Sequence, residues 1–219
     1  MNKSKLLNII NKVYPLQLVT LNNGLSLYIP DPALVKTTYQ KLVATDPRTI
    51  FPYWAKIWGS AQAMTHFLQE EPAWIQDKIV LEIGAGIGMP SFCVASKTKK
   101  ITISDYAPDA VLLLQKNIEH LKLNNVHAAC INWNTISEDM IADTILLSDT
   151  NHEPAAHHQL FFLIDTFINK GSTILLATPN RITSNPFLER ILKYINSSKN
   201  YSIHENDTTK EIIVLVLKK

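Results

Sequence analysis

The segment that most constrains the fold of this chain runs from Val80 to Pro90 and reads VLEIGAGIGMP. A short apolar run ends at Glu82, and glycines follow at positions 84, 86 and 88. This order is typical of a buried strand, a tight turn and the start of a helix. Glycines in such a turn permit positive φ values and let a ligand approach the main chain closely. The segment therefore predicts a ligand-binding loop at the end of a strand, although glycine turns without any ligand are also common.

The spacing of the glycines separates two classes of ligand. In a dinucleotide-binding loop the third glycine stands five positions after the first, and here Met89 occupies that position. A carboxylate at Glu82 would lie poorly beside a pyrophosphate, whereas it suits a ligand that carries an ammonium group and a sulfonium. The loop therefore favours S-adenosylmethionine over a nicotinamide dinucleotide, with Glu82, Gly84, Gly86 and Gly88 as cofactor-binding residues.

A second acid follows at a distance that suits a nucleoside. Asp105 ends the apolar segment 101–105 and stands 105 − 84 = 21 residues after Gly84. In nucleotide-binding α/β folds, a carboxylate about 20 residues on, at the end of the second strand, hydrogen-bonds the ribose. The alternative is that Asp105 caps the helix that opens at Pro108. Tyr106 either lies against the adenine face or packs under that helix.

Composition and charge argue against several classes of protein. Lysine and arginine number 21 against 19 acidic residues, a net charge of +2, without the basic stripe of a nucleic-acid-binding protein. No apolar run has transmembrane length, and the N-terminus lacks the apolar region of a secretory signal. We therefore expect neither a nucleic acid nor a membrane as partner. Cys93 and Cys130 are interpreted as buried free thiols of a cytoplasmic protein.

The chain is predicted to consist of an N-terminal extension, residues 1–50, packed on a main domain, residues 51–219. In the extension, residues 16–21 and 25–29 flank Asn22-Asn23-Gly24, which is typical of a β-hairpin, and a helix is expected after it. In the main domain we predict helices at 59–69, 88–97, 108–122, 154–169 and 186–195, and strands at 79–83, 101–105, 126–131, 143–148 and 172–178. This alternation predicts an α/β fold with a Rossmann-like, doubly wound, mostly parallel sheet.

The C-terminal segments predict an antiparallel pair. Residues 201–205 and 212–217 are separated by a connection too short for a crossover helix, so the two strands must run antiparallel. Every residue from 212 to 217 is apolar, which predicts burial on both faces. The last strand is therefore expected inside the sheet and not at its edge.

Several segments resemble one family in order. Residues 51–60, FPYWAKIWGS, resemble the P-[YF]-W-A-x-x-W-P-[SG] stretch of the seven-β-strand protein methyltransferases often called family 16. This group includes lysine methyltransferases that act on chaperones and on the β subunit of electron-transfer flavoprotein. The same order continues with the glycine loop, Asp105, Asn132-Trp133, 149–152 and 178–181. The resemblance covers roughly residues 50 to 217. The resemblance implies S-adenosylmethionine as cofactor and a seven-stranded sheet whose antiparallel last strand lies between the fifth and sixth.

The resemblance also implies roles for individual residues. It places Trp58 beside the cofactor, Asn132 at an adenine edge, and Trp133 either against the adenine or at the sheet edge. Asp149, at the end of the fourth strand, is expected to position the methyl acceptor, and His152 to act there as a base or an orienting group. We therefore assign Asp149 and His152 as catalytic residues.

Three positions depart from the family pattern: Asn132 stands for aspartate, His152 for tyrosine and Asn180 for glycine. The second departure lies where the acceptor is expected. The first hypothesis is methylation of nitrogen, with a protein lysine or a small amine as acceptor. The alternatives are a small-molecule N- or O-methyltransferase and a catalytically silent Rossmann-like binding protein. The histidines at 157 and 158 are interpreted as surface residues, and no metal site is expected.

Overall fold

The computed structural model describes residues 13–137, 139–179, 185–205 and 208–219. A hairpin and a helix precede the main sheet. Strand β1 (Leu16–Thr20) pairs antiparallel with β2 (Ser26–Pro30), and Asp31 caps α1 (Pro32–Thr45) by accepting the Ala33 N–H at 3.0 Å. The hairpin and the helix expected from the sequence are therefore confirmed, whereas the division of the chain at residue 50 stays a prediction.

The main sheet has seven strands among the described residues. They are β3 (Ile79–Ile83), β4 (Lys100–Asp105), β5 (Val126–Cys130), β6 (Thr144–Ser148), β7 (Thr173–Pro179), β8 (Ile195–Glu205) and β9 (Thr208–Leu217). The helices are α2 (Gly59–Glu70), α3 (Met89–Val94), α4 (Pro108–Leu121), α5 (His157–Asn169) and α6 (Asn185–Ile191). The strand order is β5-β4-β3-β6-β7-β9-β8. Strands β3 to β7 are parallel, and β9 is antiparallel to both neighbours.

This order confirms the Rossmann-like α/β fold and the position of the last strand. Strand β9 lies between β7 and β8. This position inside the sheet agrees with the burial of its apolar residues on both faces. Val214 and Leu215 are buried on opposite faces, since successive side chains of a strand alternate. Of residues 212–217, all are buried except Ile213, which is half-buried.

Each face of the sheet has its own apolar core. One core holds Val80 and Leu146, and α2, α4 and the hairpin cover it; the other holds Leu81 and Leu147 under α5 and α6. The hairpin is fixed to the first side through Asn117 on α4. The Asn117 amide exchanges two hydrogen bonds with the main chain of Tyr28, at 2.8 and 3.0 Å. The sheet is therefore covered on both faces, as the alternation of strands and helices predicts.

Several predicted elements have different bounds in the structure. Strand β8 begins at Ile195 and not at Tyr201, and α6 ends at Ile191. Residues 196–200 are exposed on the edge strand, so they lack the apolar alternation by which a strand is recognised. The predicted helix 88–97 is α3 followed by a short 3₁₀ turn at Ala95–Lys97.

The prediction that both cysteines are buried is wrong. Both thiols are free, but Cys93 is half-buried and Cys130 is exposed. Cys130 is the last residue of β5, the edge strand, where no further strand of the described residues covers it. Among the described residues, no helix is long and apolar enough to cross a membrane.

Candidate active site

A cavity of about 700 Å³ opens at the carboxyl ends of β3, β4 and β6. The chain passes from β3 through β4 to β5 on one side of the sheet and then returns to β6 on the other side. Open α/β sheets bind ligands at such a switch point. Every predicted site residue except Glu82 lines this cavity. The fold thus brings together residues that are far apart in the sequence.

The three glycines of the loop, residues 84–88, all have positive φ, but a side chain at each would meet a different neighbour. A Cβ at Gly84 would lie 3.1 Å from the Thr150 methyl. At Gly86 it would lie 3.0 Å from the main-chain oxygen of Trp54, and at Gly88 2.7 Å from Leu114. Gly86 is therefore needed for contact with another segment of the chain, and Gly88 for packing against α4.

Asp105 connects the second strand to the glycine loop. One carboxylate oxygen accepts the Gly86 N–H and the other accepts the Ala107 N–H, both at 2.9 Å. The residue at the N-cap of α4 is Ala107, so the capping alternative for Asp105 is wrong. Burial raises the pKa of Asp105 above its ordinary value, against the effect of these main-chain donors. Because a carboxylate accepts about four hydrogen bonds, Asp105 retains acceptor capacity on the cavity surface for a diol.

Glu82, two residues before the glycine loop, is not among the residues that line the cavity. Its side chain is 1% exposed, and Oε2 has no hydrogen-bond partner among the described residues. Burial, with repulsion from Asp105, raises its pKa to about 7. In this structure the carboxylate is therefore buried and does not line the cavity.

The residues predicted to surround the adenine all line the cavity. Tyr106 is 60% exposed, so its packing under the next helix is not observed. Asn132 caps a short 3₁₀ turn, its side-chain oxygen accepting the Asn134 N–H at 2.9 Å. Trp133 opens that turn, half-buried, and lies within 3.7 Å of a Cβ placed on Gly84.

The segment 53–58, called here the tryptophan segment, forms another wall of the cavity. It is a 3₁₀ turn, Tyr53–Ala55, followed by extended chain, so Trp54 and Trp58 do not share a helix face. Trp54 packs edge-on against Tyr14. The Trp58 Nε1–H donates to the Tyr53 carbonyl at 2.8 Å, which closes the segment on itself.

Asp149 and His152 meet at the end of β6. Asp149 has φ of 56°, an unusual value for a residue other than glycine, and its N–H donates to the Ala177 carbonyl at 2.9 Å. His152 Nδ1 lies 2.7 Å from the Asp149 carbonyl. Because a carbonyl only accepts, Nδ1 carries the hydrogen, and in the neutral ring Nε2 is then the proton acceptor.

Aromatic and acidic side chains form the rim of the cavity near His152. The rim consists of Tyr53, Tyr106, His152 and Glu153. The Tyr53 and His152 rings lie 5.1 Å apart, and Glu153 Oε1 lies 3.6 Å from His152 Nε2. Sequence reasoning assigned neither Tyr53 nor Glu153 to the site, although Tyr53 occupies a position of the quoted family motif and Glu153 directly follows His152.

The two other histidines of this region, His157 and His158, differ in burial. His157 Nε2 donates to the Asn151 carbonyl at 3.0 Å, and its ring packs near Phe187. His157 is therefore half-buried, and only His158 is a surface residue as expected. In the described part of the chain no group of three or more His, Cys, Asp or Glu side chains is arranged to hold a metal ion.

Comparison with known protein families decides which family this is. A family model described as lysine methyltransferase matches residues 53–194, from the tryptophan segment to the end of the turn after α6. The chain belongs to the lysine methyltransferase family. This membership implies S-adenosylmethionine as the cofactor, and the cavity with its Asp105 and glycine loop fits that ligand. Arg181, which belongs to the last segment that resembles the family, lies outside the described residues.

Individual relatives are similar over the same region. The protein N-terminal and lysine N-methyltransferase of Cryptococcus neoformans is 24% identical over 68% of this chain and 53% of its own length. The electron transfer flavoprotein beta subunit lysine methyltransferase of Mus musculus is 29% identical over 59% of this chain and 51% of its own. The chain spans about half the length of these curated relatives.

A solved structure shows the same fold. The N-methyltransferase NodS from Bradyrhizobium japonicum, in complex with S-adenosyl-L-homocysteine, superposes with a TM-score of 0.58 and 14% identity. The match covers 83% of this chain and 98% of that one. At this identity the likeness concerns the fold alone.

Proposed function

We propose that this chain is an S-adenosylmethionine-dependent methyltransferase that transfers a methyl group to nitrogen, with the side chain of a protein lysine as acceptor. The observation that carries the proposal is the cavity at the switch point of the sheet. Asp105 and the glycine loop, linked by a hydrogen bond, form one part of its wall, and Asp149 and His152 form another. The family membership and the names of the relatives support the same reaction.

Binding of the cofactor is assigned to the loop and its neighbours. In this proposal Asp105 accepts hydrogen bonds from the ribose, the glycine loop lies along the methionine part, and Trp133 and Tyr106 flank the adenine. Trp58 and the rest of the tryptophan segment exclude water from the reacting atoms. S-adenosylmethionine supplies a methyl group already activated by its sulfonium. The task of the protein is then to hold an acceptor in line with that methyl group.

The acceptor is assigned to the end of β6. A lysine amine must lose its proton before it attacks, and His152 Nε2 is the acceptor atom of the neutral ring in this hydrogen-bond arrangement. Asp149 is buried beside it and is assigned to positioning of the amine. This assignment makes His152, where relatives in the family carry a tyrosine, the residue that takes or orients the proton.

The rim favours a cationic acceptor. Tyr53 and Tyr106 are 42% and 60% exposed, and Glu153 adds a negative charge on the same rim. Aromatic faces attract ammonium groups, with a free energy of about 0.5–1 kcal/mol at exposed sites. A lysine side chain matches this rim better than a neutral hydroxyl compound, which supports N-methylation over O-methylation. A small amine remains the second candidate, and nucleic acid is disfavoured by the net charge of +2.

The test is transfer of labelled methyl groups. The purified protein is incubated with methyl-labelled S-adenosylmethionine and a lysate of its own host, and protein, RNA and small molecules are then separated. We expect label in protein, recovered as methyl-lysine after hydrolysis. Label confined to small molecules or RNA would overturn the protein acceptor, and no transfer to any fraction would overturn the activity. The Asp149→Asn variant is the control, which should abolish transfer.

We also propose a cytoplasmic location. The two free thiols, one of them exposed, are compatible with a reducing compartment. Fractionation of host cells followed by detection of the protein tests this location. Recovery of the protein in a secreted or membrane fraction would overturn it.

A further inference from the structure

A buried carboxylate with two lysine partners lies next to the cofactor cavity. Glu205, the last residue of β8, is 8% exposed. Its Oε2 atom accepts hydrogen bonds from Lys56 Nζ at 3.3 Å and from Lys210 Nζ at 2.7 Å. Lys56 belongs to the tryptophan segment, and Lys210 lies on β9. This cluster therefore joins the wall of the cavity to the C-terminal hairpin.

The same carboxylate faces the start of α2. A Cβ placed on Gly59, the first residue of that helix, would lie 2.9 Å from Glu205 Oε1. Helix α2 has no acidic residue in its first turn and no side-chain hydrogen bond at its N-cap, Trp58. A negative charge at this place complements the partial positive charge of a helix N-terminus. Glu205 supplies from β8 the charge that the helix lacks in its own sequence.

The contact continues from Lys56 to the glycine loop. Lys56 lines the cavity, and its Nζ lies 4.4 Å from the centre of the Trp58 ring. Trp58 is bonded to the Tyr53 carbonyl, and the main chain of Trp54 lies against Gly86. The tryptophan segment is thus held at one end by the loop and at the other end by Glu205.

We propose that Glu205 is a positioning residue of the cofactor cavity, which holds the tryptophan segment in its ligand-binding position through Lys56. The proposal rests on the proposed function for the identity of the ligand. It gives the C-terminal hairpin a part in cofactor binding, although the hairpin contributes no residue to the cavity wall among those described.

The contact between Glu205 and Lys56 depends on the negative charge of Glu205. Burial alone would raise the pKa of Glu205, but the hydrogen bonds and charges of Lys210 and Lys56 lower it below its ordinary value, so the carboxylate stays ionised. Removing the Glu205 carboxylate takes away the negative charge that the two half-exposed lysines share. A neutral residue at position 205 is therefore expected to release Lys56 and with it the tryptophan segment.

The experiment is calorimetric titration with S-adenosyl-L-homocysteine. We expect Glu205→Gln to weaken binding about tenfold. The matched control is Lys199→Met. Lys199 also links β8 to α2, through Glu70 at 2.8 Å, but the pair is exposed and lies at the other end of the helix. This control should bind as the wild type does, and equal affinity in the Glu205→Gln variant would overturn the proposal.

A double-variant comparison separates positioning from direct contact of Lys56 with the ligand. Lys56→Met should weaken binding in the wild type but have no further effect in the Glu205→Gln background. An equal loss of affinity in both backgrounds would overturn the claim that Lys56 acts through Glu205. Lys56→Arg keeps the positive charge and should retain most of the affinity. Lys56→Met also serves if Glu205→Gln does not fold, since Lys56 is 42% exposed.

Hydrogen exchange of the ligand-free protein tests the anchoring of the tryptophan segment independently of the proposed function. Amides of residues 53–58 should exchange faster in Glu205→Gln than in the wild type or in Lys199→Met. If the wild type binds no S-adenosyl-L-homocysteine, the proposed function fails, while faster exchange still supports the anchoring of the segment. Unchanged exchange would overturn the anchoring itself.

Discussion

Single residues of the glycine loop are constrained by packing within the protein. Gly86 has a positive φ, donates its N–H to Asp105 and lies against the main chain of Trp54. Sequence reasoning attributed the absence of a side chain there to passage of the ligand. The structure adds that any side chain at this position would push the tryptophan segment outward.

Gly86→Ala should therefore destabilise the protein more than a substitution at an unobstructed glycine. Gly171 has φ of 90°, and no atom lies within 4 Å of the place that a Cβ would take, so Gly171→Ala carries only the left-handed backbone penalty, about 1–2 kcal/mol. At Gly86 the contact of 3.0 Å with the Trp54 oxygen adds to that penalty. Urea unfolding measures both variants, and equal losses of stability would contradict the packing role.

The raised pKa of Glu82 predicts that the stability of the protein depends on pH. Its folded-state pKa of about 7 exceeds the ordinary value of 4.5. The folded protein therefore holds this proton more tightly than the unfolded chain does. The stabilisation is fully present below about pH 4.5 and is lost as the pH rises through about 7.

Glu82→Gln should remove this part of the pH dependence. Between pH 4.5 and pH 7 the free energy of unfolding of the wild type should fall relative to that of the variant, by up to about 3 kcal/mol. Urea unfolding at several pH values measures the difference. A constant difference across this range would show that folding does not raise the pKa of Glu82.

At the scale of secondary structure, elements with strong apolar patterns were predictable. Strand β3 has the predicted bounds, and β9 has the predicted place, because apolar side chains buried on both faces leave no other position. Strand β8 was predicted from Tyr201 only, since residues 196–200 face solvent on the edge and carry no pattern. Pairing with β9, a tertiary interaction, makes this polar stretch a strand.

The inserted strand should carry much of the stability of the sheet. Leu215 on β9 is 4% exposed and pairs with Leu176 of β7, whereas Asn200 on β8 is exposed. Leu215→Ala should lower the free energy of unfolding by about 2–5 kcal/mol, and Asn200→Ala by no more than about 0.5 kcal/mol. Comparable losses in thermal or urea unfolding would contradict a central position for β9.

At the scale of the whole molecule, the cavity is assembled from segments that are distant in the sequence. The glycine loop and Asp105 were predictable because their spacing repeats a local motif. Glu205 was not, because nothing near it in the sequence indicates its contact with Lys56. Lys56 and Glu205 are 149 residues apart, and only the insertion of β9 brings the end of β8 to the start of α2.

The cavity is the feature on which the proposed activity depends. The direct test is calorimetric titration of the purified protein with S-adenosyl-L-homocysteine. We predict binding at one site per chain, weakened at least about tenfold in an Asp105→Ala variant whose circular dichroism shows a folded protein. Absence of binding to the folded wild-type protein at millimolar ligand would contradict the assignment of this cavity to the cofactor.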